Sequence, residues 1–306
     1  MTPKNRAWLL LLVVAVICGS SVWGVVWYRS RPLSLPAMMK RLPTQGAPLL
    51  YIDFAGLRQA GILQLLDGSQ ASEDPEYLTF VRKTRFDYRQ DLDSALVAFA
   101  PTGTYMLVKG RFDWNSLRAY AQTSGGTCAY SLCRVPGSSE THRISFLPLQ
   151  DNLMAVAVSA DETAATDVTT SASGPNPEPP SGLVWLKIPG SWLRLRPGLP
   201  DGTQMFAHSV EQADSITLSF APESGHLSGR LVVRCASDHE AAEVSAQLIL
   251  ATARLREAIL RENHVPNPAD LSGPLSSGSF RSEGNRVLGN WTFEPAFIHN
   301  ILGGGN

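Results

Sequence analysis

The sequence has little of what most catalytic and metal sites are built from. Its 306 residues include only four cysteines and six histidines, and no two histidines stand in the H-E-x-x-H spacing of zinc enzymes. The serine-x-x-lysine sequence of penicillin-binding enzymes, the G-x-S-x-G turn of esterases and the glycine-lysine pair of nucleotide-binding loops are absent too. The sequence therefore predicts no catalytic, cofactor-binding or metal-binding residue.

An excess of basic charge is missing as well. The chain has 26 basic and 27 acidic side chains, a net charge of −1, but these are unevenly spread. The first 41 residues carry six basic side chains and no acidic one, so residues 42–306 carry 20 basic against 27 acidic. A protein that binds nucleic acid needs a basic face to neutralise phosphates. The acidic main part of the chain therefore argues against nucleic acid as a partner.

One long hydrophobic run is present, at residues 7–28, which read AWLLLLVVAVICGSSVWGVVWY. A helix rising about 1.5 Å per residue would reach about 33 Å over this length, enough to cross a lipid bilayer. Trp8, Trp23, Trp27 and Tyr28 lie towards its ends, where aromatic rings settle at membrane interfaces. We predict a transmembrane anchor. A cleaved signal peptide is the alternative, although the apolar residues continue past the only cluster of small ones.

The charged residues before and after the anchor predict which of its ends lies in the cytoplasm. Basic residues lie on both sides, and a strict count favours a cytoplasmic C-terminal side. A short basic tail, residues 1–6, followed by a long apolar run is nevertheless the build of a bacterial signal anchor. We therefore predict a single-pass protein of the bacterial inner membrane with its main part in the periplasm. The proline-rich residues 29–48 would form a stiff spacer leading off the membrane.

The rest of the chain carries a repeated pattern. The strand-like segment LLYIDFAG at residues 49–56 matches LVWLKIPG at 183–190, and both end in glycine. Further on, DSALVAFAP at residues 93–101 matches DSITLSFAP at 214–222, with five of nine positions identical. In both places a second strand and a polar-capped helix follow. Chance is a poor explanation for several matches in the same order, so we infer an internal duplication.

The duplication sets the predicted fold class and domain boundaries. We predict an α+β protein in which two related β-α-β-β-α-β-β-α units form antiparallel sheets with helices packed on one face. The first copy would span residues 49–168 and the second residues 183–302. A linker rich in proline, serine and glycine, residues 169–182, would join them, and residues 303–306 would form a disordered tail.

The second copy contains a helical pattern that is long for such a unit, from Asp238 to His264, and Ser237 with Glu240 predicts a capping box at its start. Its apolar residues recur at steps of three and four, which predicts a stripe facing the core. The stripe consists of Ala241, Val244, Leu248, Ala251, Leu255 and Ile259. Leu250 and Leu260 fall outside it. We therefore expect part of this helix to be covered by the first copy or by another chain.

Two of the cysteines are close in sequence. Cys128 and Cys133 bracket four residues, AYSL, after the helix of the first copy. A disulfide that fixes a local turn suits an oxidising compartment. Free thiols remain an alternative, and a cytoplasmic location would favour them. A zinc site is a further alternative, but it would need two more ligands nearby.

Two other clusters of side chains, one acidic and one aromatic and basic, are candidate binding sites. Six acidic residues lie between residues 73 and 93, and we interpret them as a solvated face, with a weak divalent-cation site as the alternative. Trp185, Trp192, Arg194 and Arg196 could line an aromatic, basic groove, although half-buried strand residues are the more common case.

The layout resembles that of uncharacterised bacterial envelope families. Their members share a short basic tail, an anchor, a proline-rich spacer and a duplicated α+β part with a strand of the form LLYIDF. The resemblance covers most of residues 40–300 and implies a location in the cell envelope, but it identifies no functional residue.

We therefore predict a non-enzymatic envelope protein that binds another envelope protein or assists an assembly. One alternative is a module that binds a small molecule or lipid, and another is an enzyme with a site between the two copies. An exposed apolar patch would favour the first, an apolar cavity the second, and polar groups converging in a deep pocket the third.

Overall fold

The first half of the chain alternates short helices with strands. The structure is a computed structural model, and the residues it describes are 32–63, 75–170, 172–194, 207–223, 226–262, 264–270 and 272–302. The helices of this half are α1 Leu35–Met39, α2 Phe54–Gln59, α3 Pro75–Thr84, α4 Tyr88–Asp91, α5 Trp114–Thr123 and a 3-10 helix, Ala164–Thr169. Its strands are β1 Leu49–Asp53, β2 Leu92–Ala100, β3 Gly103–Gly110, β4 Thr127–Ala129, β5 Leu132–Val135, β6 Arg143–Gln150 and β7 Leu153–Ser159.

The second half contains fewer strands and one much longer helix. Its strands are β8 Val184–Pro189, β9 Ser215–Glu223, β10 His226–Arg234, β11 Ser279–Glu283 and β12 Arg286–Phe293. Its helices are α6 Gly190–Leu193, α7 Asp238–Arg261, α8 Ser272–Ser277 and α9 Pro295–Leu302. All elements of both halves belong to one compact unit, Leu35–Asn306.

Within the described residues, the strands form one twelve-stranded sheet in which neighbouring strands are antiparallel. Their order is β11-β12-β10-β9-β8-β1-β2-β3-β7-β6-β5-β4. Each half follows the same path, β1-β2-β3-β7-β6 in the first and β8-β9-β10-β12-β11 in the second. The β4–β5 hairpin extends the first half by two strands, and β1 and β8 lie next to each other in the middle.

The prediction that the units form separate antiparallel sheets is wrong, because β1 and β8 join them into one. The two strands pair antiparallel from Leu49 opposite Lys187 to Ile52 opposite Val184. A first strand left at the edge of its own sheet would expose a row of unpaired N–H and C=O groups, and pairing two such strands satisfies both rows. Across this junction the rings of Tyr51 and Trp185 stack with their centroids 5.5 Å apart.

The prediction that the helices pack on one face is also wrong. In the first half the 3-10 helix packs on β6 and β7, where the amide of Ala165 donates to the hydroxyl of Ser145 at 3.1 Å. In the second half, α7 packs on Leu231, Val233 and Val287. Residues paired across two strands point to the same face of a sheet, whereas consecutive residues of one strand point to opposite faces. The strand register therefore places the 3-10 helix and α7 on opposite faces of the sheet.

Among the residues that the structure describes, the membrane helix of the predicted fold class has no counterpart. No helix in the ranges that the structure describes is long and apolar enough to cross a membrane. Helix α7 has 24 residues, but it carries charged side chains along its length. The segment predicted to span the bilayer, residues 7–28, lies outside the described residues, and so do Trp8, Trp23, Trp27 and Tyr28.

Candidate docking surface on the long helix

Helix α7 begins with a local hydrogen-bonding arrangement that the sequence predicted. The hydroxyl of Ser237 accepts from the amide of Glu240 at 3.2 Å, as expected for a capping box. The Glu240 carboxylate accepts in return from the amide of Ala236 at 3.1 Å, one residue earlier than expected. Acidic residues in the first turn and Arg261 in the last complement the helix dipole. These contacts set where the helix starts and therefore which side chains face inward.

The inner face of α7 forms the core of the second half. Ala241, Val244, Leu248 and Ala251 are all buried, and they belong to the stripe that the sequence predicted. Ala241, Val244 and Leu248 pack in a cluster with side chains of β9, β10 and β12, including Ile216, Val233 and Val287. Burial on α7 ends at Thr252, because the remaining helix residues are partly or fully exposed. The predicted stripe therefore extends past the last buried residue of α7, because Leu255 and Ile259 are only half-buried.

The outer face of α7 carries a second apolar stripe, which is exposed. Ile249 is 51% exposed, Leu250 48% and Leu260 53%. The exposed alanines at 242, 246 and 253 lie at steps of three or four from Ile249, which places them on one side of the helix. We call these six residues, Ala242, Ala246, Ile249, Leu250, Ala253 and Leu260, the outer stripe. Arg256 and Glu257 interrupt the stripe between Ala253 and Leu260, and apolar surface grouped in this way is typical of an interaction site.

A groove runs beside the outer stripe. It has a volume of about 650 Å³ and lies between the second half of α7 and the segment where α8 meets β11. Ile249, Ala253 and Phe280 contribute apolar surface, while Arg256 and Glu257 contribute charge. The hydroxyl of Thr252, which also lines the groove, is buried without a hydrogen-bond partner among the described residues. The stripe and the groove together offer an apolar surface with polar groups at its margin.

A smaller cleft lies at the start of α7 and holds the free thiol of Cys235. Burial, with the nearby carboxylates of Glu240 and Asp214, raises the pKa of this thiol. The thiol therefore stays protonated near neutral pH, whereas the reactive form of cysteine is the thiolate. His208 and Glu211, whose ring Nδ1 and carboxylate oxygen lie 3.1 Å apart, line the same cleft of about 170 Å³. This arrangement does not activate a nucleophile.

Of the acidic region of the first half, Glu73 and Asp74 lie outside the described residues, whereas Asp87 and Asp91 form local hydrogen bonds. Burial raises the pKa of Asp87, but hydrogen bonds from Arg89 and Tyr77 outweigh this effect, so the pKa lies below its usual value. Asp91 accepts from the guanidinium of Arg111 at 3.0 Å. Among the residues that the structure describes, no three His, Cys, Asp or Glu side chains are grouped to hold a metal ion.

The tryptophans considered for a groove are placed differently from one another. Trp185 is fully buried where β1 and β8 meet. Trp192 lies half-buried in α6, and Arg194 is exposed just beyond it. Arg196 lies outside the described residues. The aromatic, basic groove is therefore not formed around Trp185.

Cys128 and Cys133 form a disulfide with an S–S distance of 2.01 Å. They stand opposite each other in the β4–β5 hairpin, which the sequence pattern had not identified. The hairpin forms the outer edge of the sheet next to β6. The bond therefore closes a strand pair, where the sequence had predicted only a turn.

Removing this disulfide should destabilise the hairpin moderately. A variant with both cysteines replaced by serine is expected to lose about 2 kcal/mol of unfolding free energy, since the bond closes a very short loop. Urea unfolding followed by circular dichroism measures the difference, and wild-type protein unfolded in the presence of a reducing agent serves as the control, because this opens the same bond without changing the sequence. An unchanged urea midpoint in the double variant would contradict this expectation.

The chain is similar in fold to solved structures of TP0453. No protein-family model matches the sequence, and no curated protein matches it. The chain is similar in structure to crystal form I of TP0453, with a TM-score of 0.51, 11% identity, and coverage of 90% of this chain and 98% of that one. Crystal form III of TP0453 gives a TM-score of 0.50 at 10% identity, covering 87% and 97%. At this level of identity the similarity shows the fold alone.

Proposed function

We propose that the protein is an interaction module of the bacterial cell envelope that assembles with another protein through the outer stripe of α7. The observation that carries the proposal is the exposure of Ile249, Leu250 and Leu260 on one side of a helix whose other side is already packed. The fold does not need these side chains for its core. Their surface remains available to a second protein.

The energetics favour burial of this stripe. Burying apolar surface contributes roughly 25 cal/mol per Å², so covering a large aliphatic side chain fully is favourable by about 1.5–3 kcal/mol. Ile249, Leu250 and Leu260 each keep about half of that surface exposed. The charged residues at the margin, such as Arg256 and Glu257, match the usual pattern of an apolar interface centre with a polar rim.

The disulfide supports the proposed compartment. Disulfides persist in oxidising environments such as the bacterial periplasm and are rare in the cytoplasm. The Cys128–Cys133 bond lies in the outermost hairpin of the sheet, where Cys128 is half-buried and Cys133 is buried. The proposal therefore places the part of the chain that contains α7 outside the cytoplasm.

The test is crosslinking in cells. A photoreactive amino acid is placed at Leu250 or Leu260 of the full chain, expressed in its native cells, and the products are identified by mass spectrometry. We expect one protein species to be joined at both positions, because both side chains would lie within the interface.

Two matched positions provide the controls. Leu78 on α3 is 44% exposed and Val265 beyond α7 is 79% exposed, so both carry accessible apolar side chains away from the outer stripe. Neither should give the product. If all four positions crosslink equally, or if Leu250 and Leu260 give no protein product, the proposal is wrong.

A further inference from the structure

The charges along α7 are divided between its two halves. The first half, residues 238–249, carries Asp238, Glu240 and Glu243 and no arginine or lysine. The second half, residues 250–261, carries Arg254, Arg256 and Arg261 and only one acidic residue, Glu257. The helix therefore has an acidic beginning and a basic end, and all of these side chains except Glu240 are exposed.

This division favours one orientation of a second, identical helix. In an antiparallel pair related by a two-fold axis, the acidic half of each helix faces the basic half of the other. A parallel pair would place acid against acid and base against base, which is unfavourable. The charge pattern is thus complementary to itself when the second copy runs in the opposite direction.

The shapes of the side chains agree with the same orientation. An antiparallel pair centred between Ile249 and Ala253 brings Ala242 opposite Leu260 of the partner subunit, and Ile249 opposite Ala253 of the partner subunit. Ile249 and Leu260 then each meet an alanine, which lets two helices pack closely. The outer stripe spans about 27 Å between Ala242 and Leu260 at about 1.5 Å per residue.

We infer that the protein docked on the outer stripe is a second copy of this chain, packed antiparallel along α7. The inference rests on the proposed function, since it names the partner at the same surface. In this arrangement Glu243 lies beside Arg261 of the partner subunit, because both occupy the same flank of the stripe. In the single chain, Glu243 faces His239 at 3.3 Å and Arg261 faces Glu257 at 3.8 Å, and all four side chains are largely exposed.

The test is a charge exchange measured by sedimentation equilibrium. The full chain is studied in a density-matched nonionic detergent, because its residues 7–28 are strongly apolar. Wild-type protein should form a dimer that dissociates in the micromolar range. Glu243→Arg and Arg261→Glu should each raise the dissociation constant about tenfold, because each places like charges together twice in the symmetric dimer.

The double variant Glu243→Arg/Arg261→Glu should restore the dimer to within about threefold of wild type, since the pairs re-form with exchanged signs. Leu260→Glu should weaken the dimer by at least about tenfold, whereas Val265→Glu should leave it unchanged. The inference is overturned if the wild-type protein is monomeric. It is also overturned if Leu260→Glu leaves the dissociation constant unchanged, or if the double variant dissociates as readily as the single variants. If the wild type is monomeric while crosslinks at Leu250 join a different protein, the proposed function stands and only the inference falls.

Discussion

Replacing Trp185 by alanine is expected to lower the free energy of unfolding by about 3–5 kcal/mol, the usual loss for a large buried aromatic side chain. Trp185 is fully buried on β8 and stacks on Tyr51 of β1, at the place where the two halves of the sheet join. Alanine would leave a cavity there and remove the stacking contact. Urea unfolding of the full chain, followed by circular dichroism, measures the loss.

Trp185→Phe is the matched control. Phenylalanine keeps an aromatic ring against Tyr51 and removes the indole N–H, which is buried without a hydrogen-bond partner among the described residues. Losing an unsatisfied donor partly offsets the lost volume, so we expect this variant to lose only about 1 kcal/mol. A Trp185→Ala variant as stable as Trp185→Phe would show that the junction does not depend on this side chain.

Leu248→Ala on α7 is expected to cost about 2–5 kcal/mol, the usual range for removing a buried leucine side chain. Leu248 is 1% exposed and packs in the core of the second half, whereas Leu250, two residues further along, is 48% exposed. Leu250→Ala should therefore change the stability of the single chain by no more than about 0.5 kcal/mol. Urea unfolding at low protein concentration compares the two.

The same pair of variants separates folding from association. We expect Leu248→Ala to lower stability at every protein concentration, because it acts within one chain. Leu250→Ala should act only where the chain is associated, and its effect should grow with concentration. A larger loss for Leu250→Ala than for Leu248→Ala in dilute protein would mean that α7 packs with its other side inward.

Local patterns on α7 were predictable because they depend on near neighbours. The three- and four-residue spacing identified Ala241, Val244 and Leu248 as inward facing, and the Ser237–Glu240 pair identified where the helix begins. The same spacing places Leu250 and Leu260 outside the inward-facing stripe. Ile249 was missed, although the alanines spaced at three and four residues around it form the same kind of signal.

The arrangement of the sheet was not predictable from these patterns, because strand partners are chosen by contacts remote in sequence. Nothing within LLYIDF or LVWLKI indicates that the two segments pair with each other. Each segment could form an edge strand of its own sheet, or the two could pair with each other. The choice depends on the unpaired backbone groups that the folded units present at their edges. The β4–β5 hairpin was missed for a related reason, since strands of three and four residues carry too little alternation to be recognised.

The junction of β1 and β8 has a consequence for the order in which the chain folds. The pairs β2–β3, β9–β10 and β11–β12 link strands that follow each other closely, so they close short loops and form early. β1 and β8 are separated by the whole first half of the chain, and their pairing must wait for both halves. We therefore expect the two half-sheets to assemble first and join last. Trp185 would become buried at that step, so the difference in fluorescence between the wild type and Trp185→Phe should follow the slowest phase of refolding.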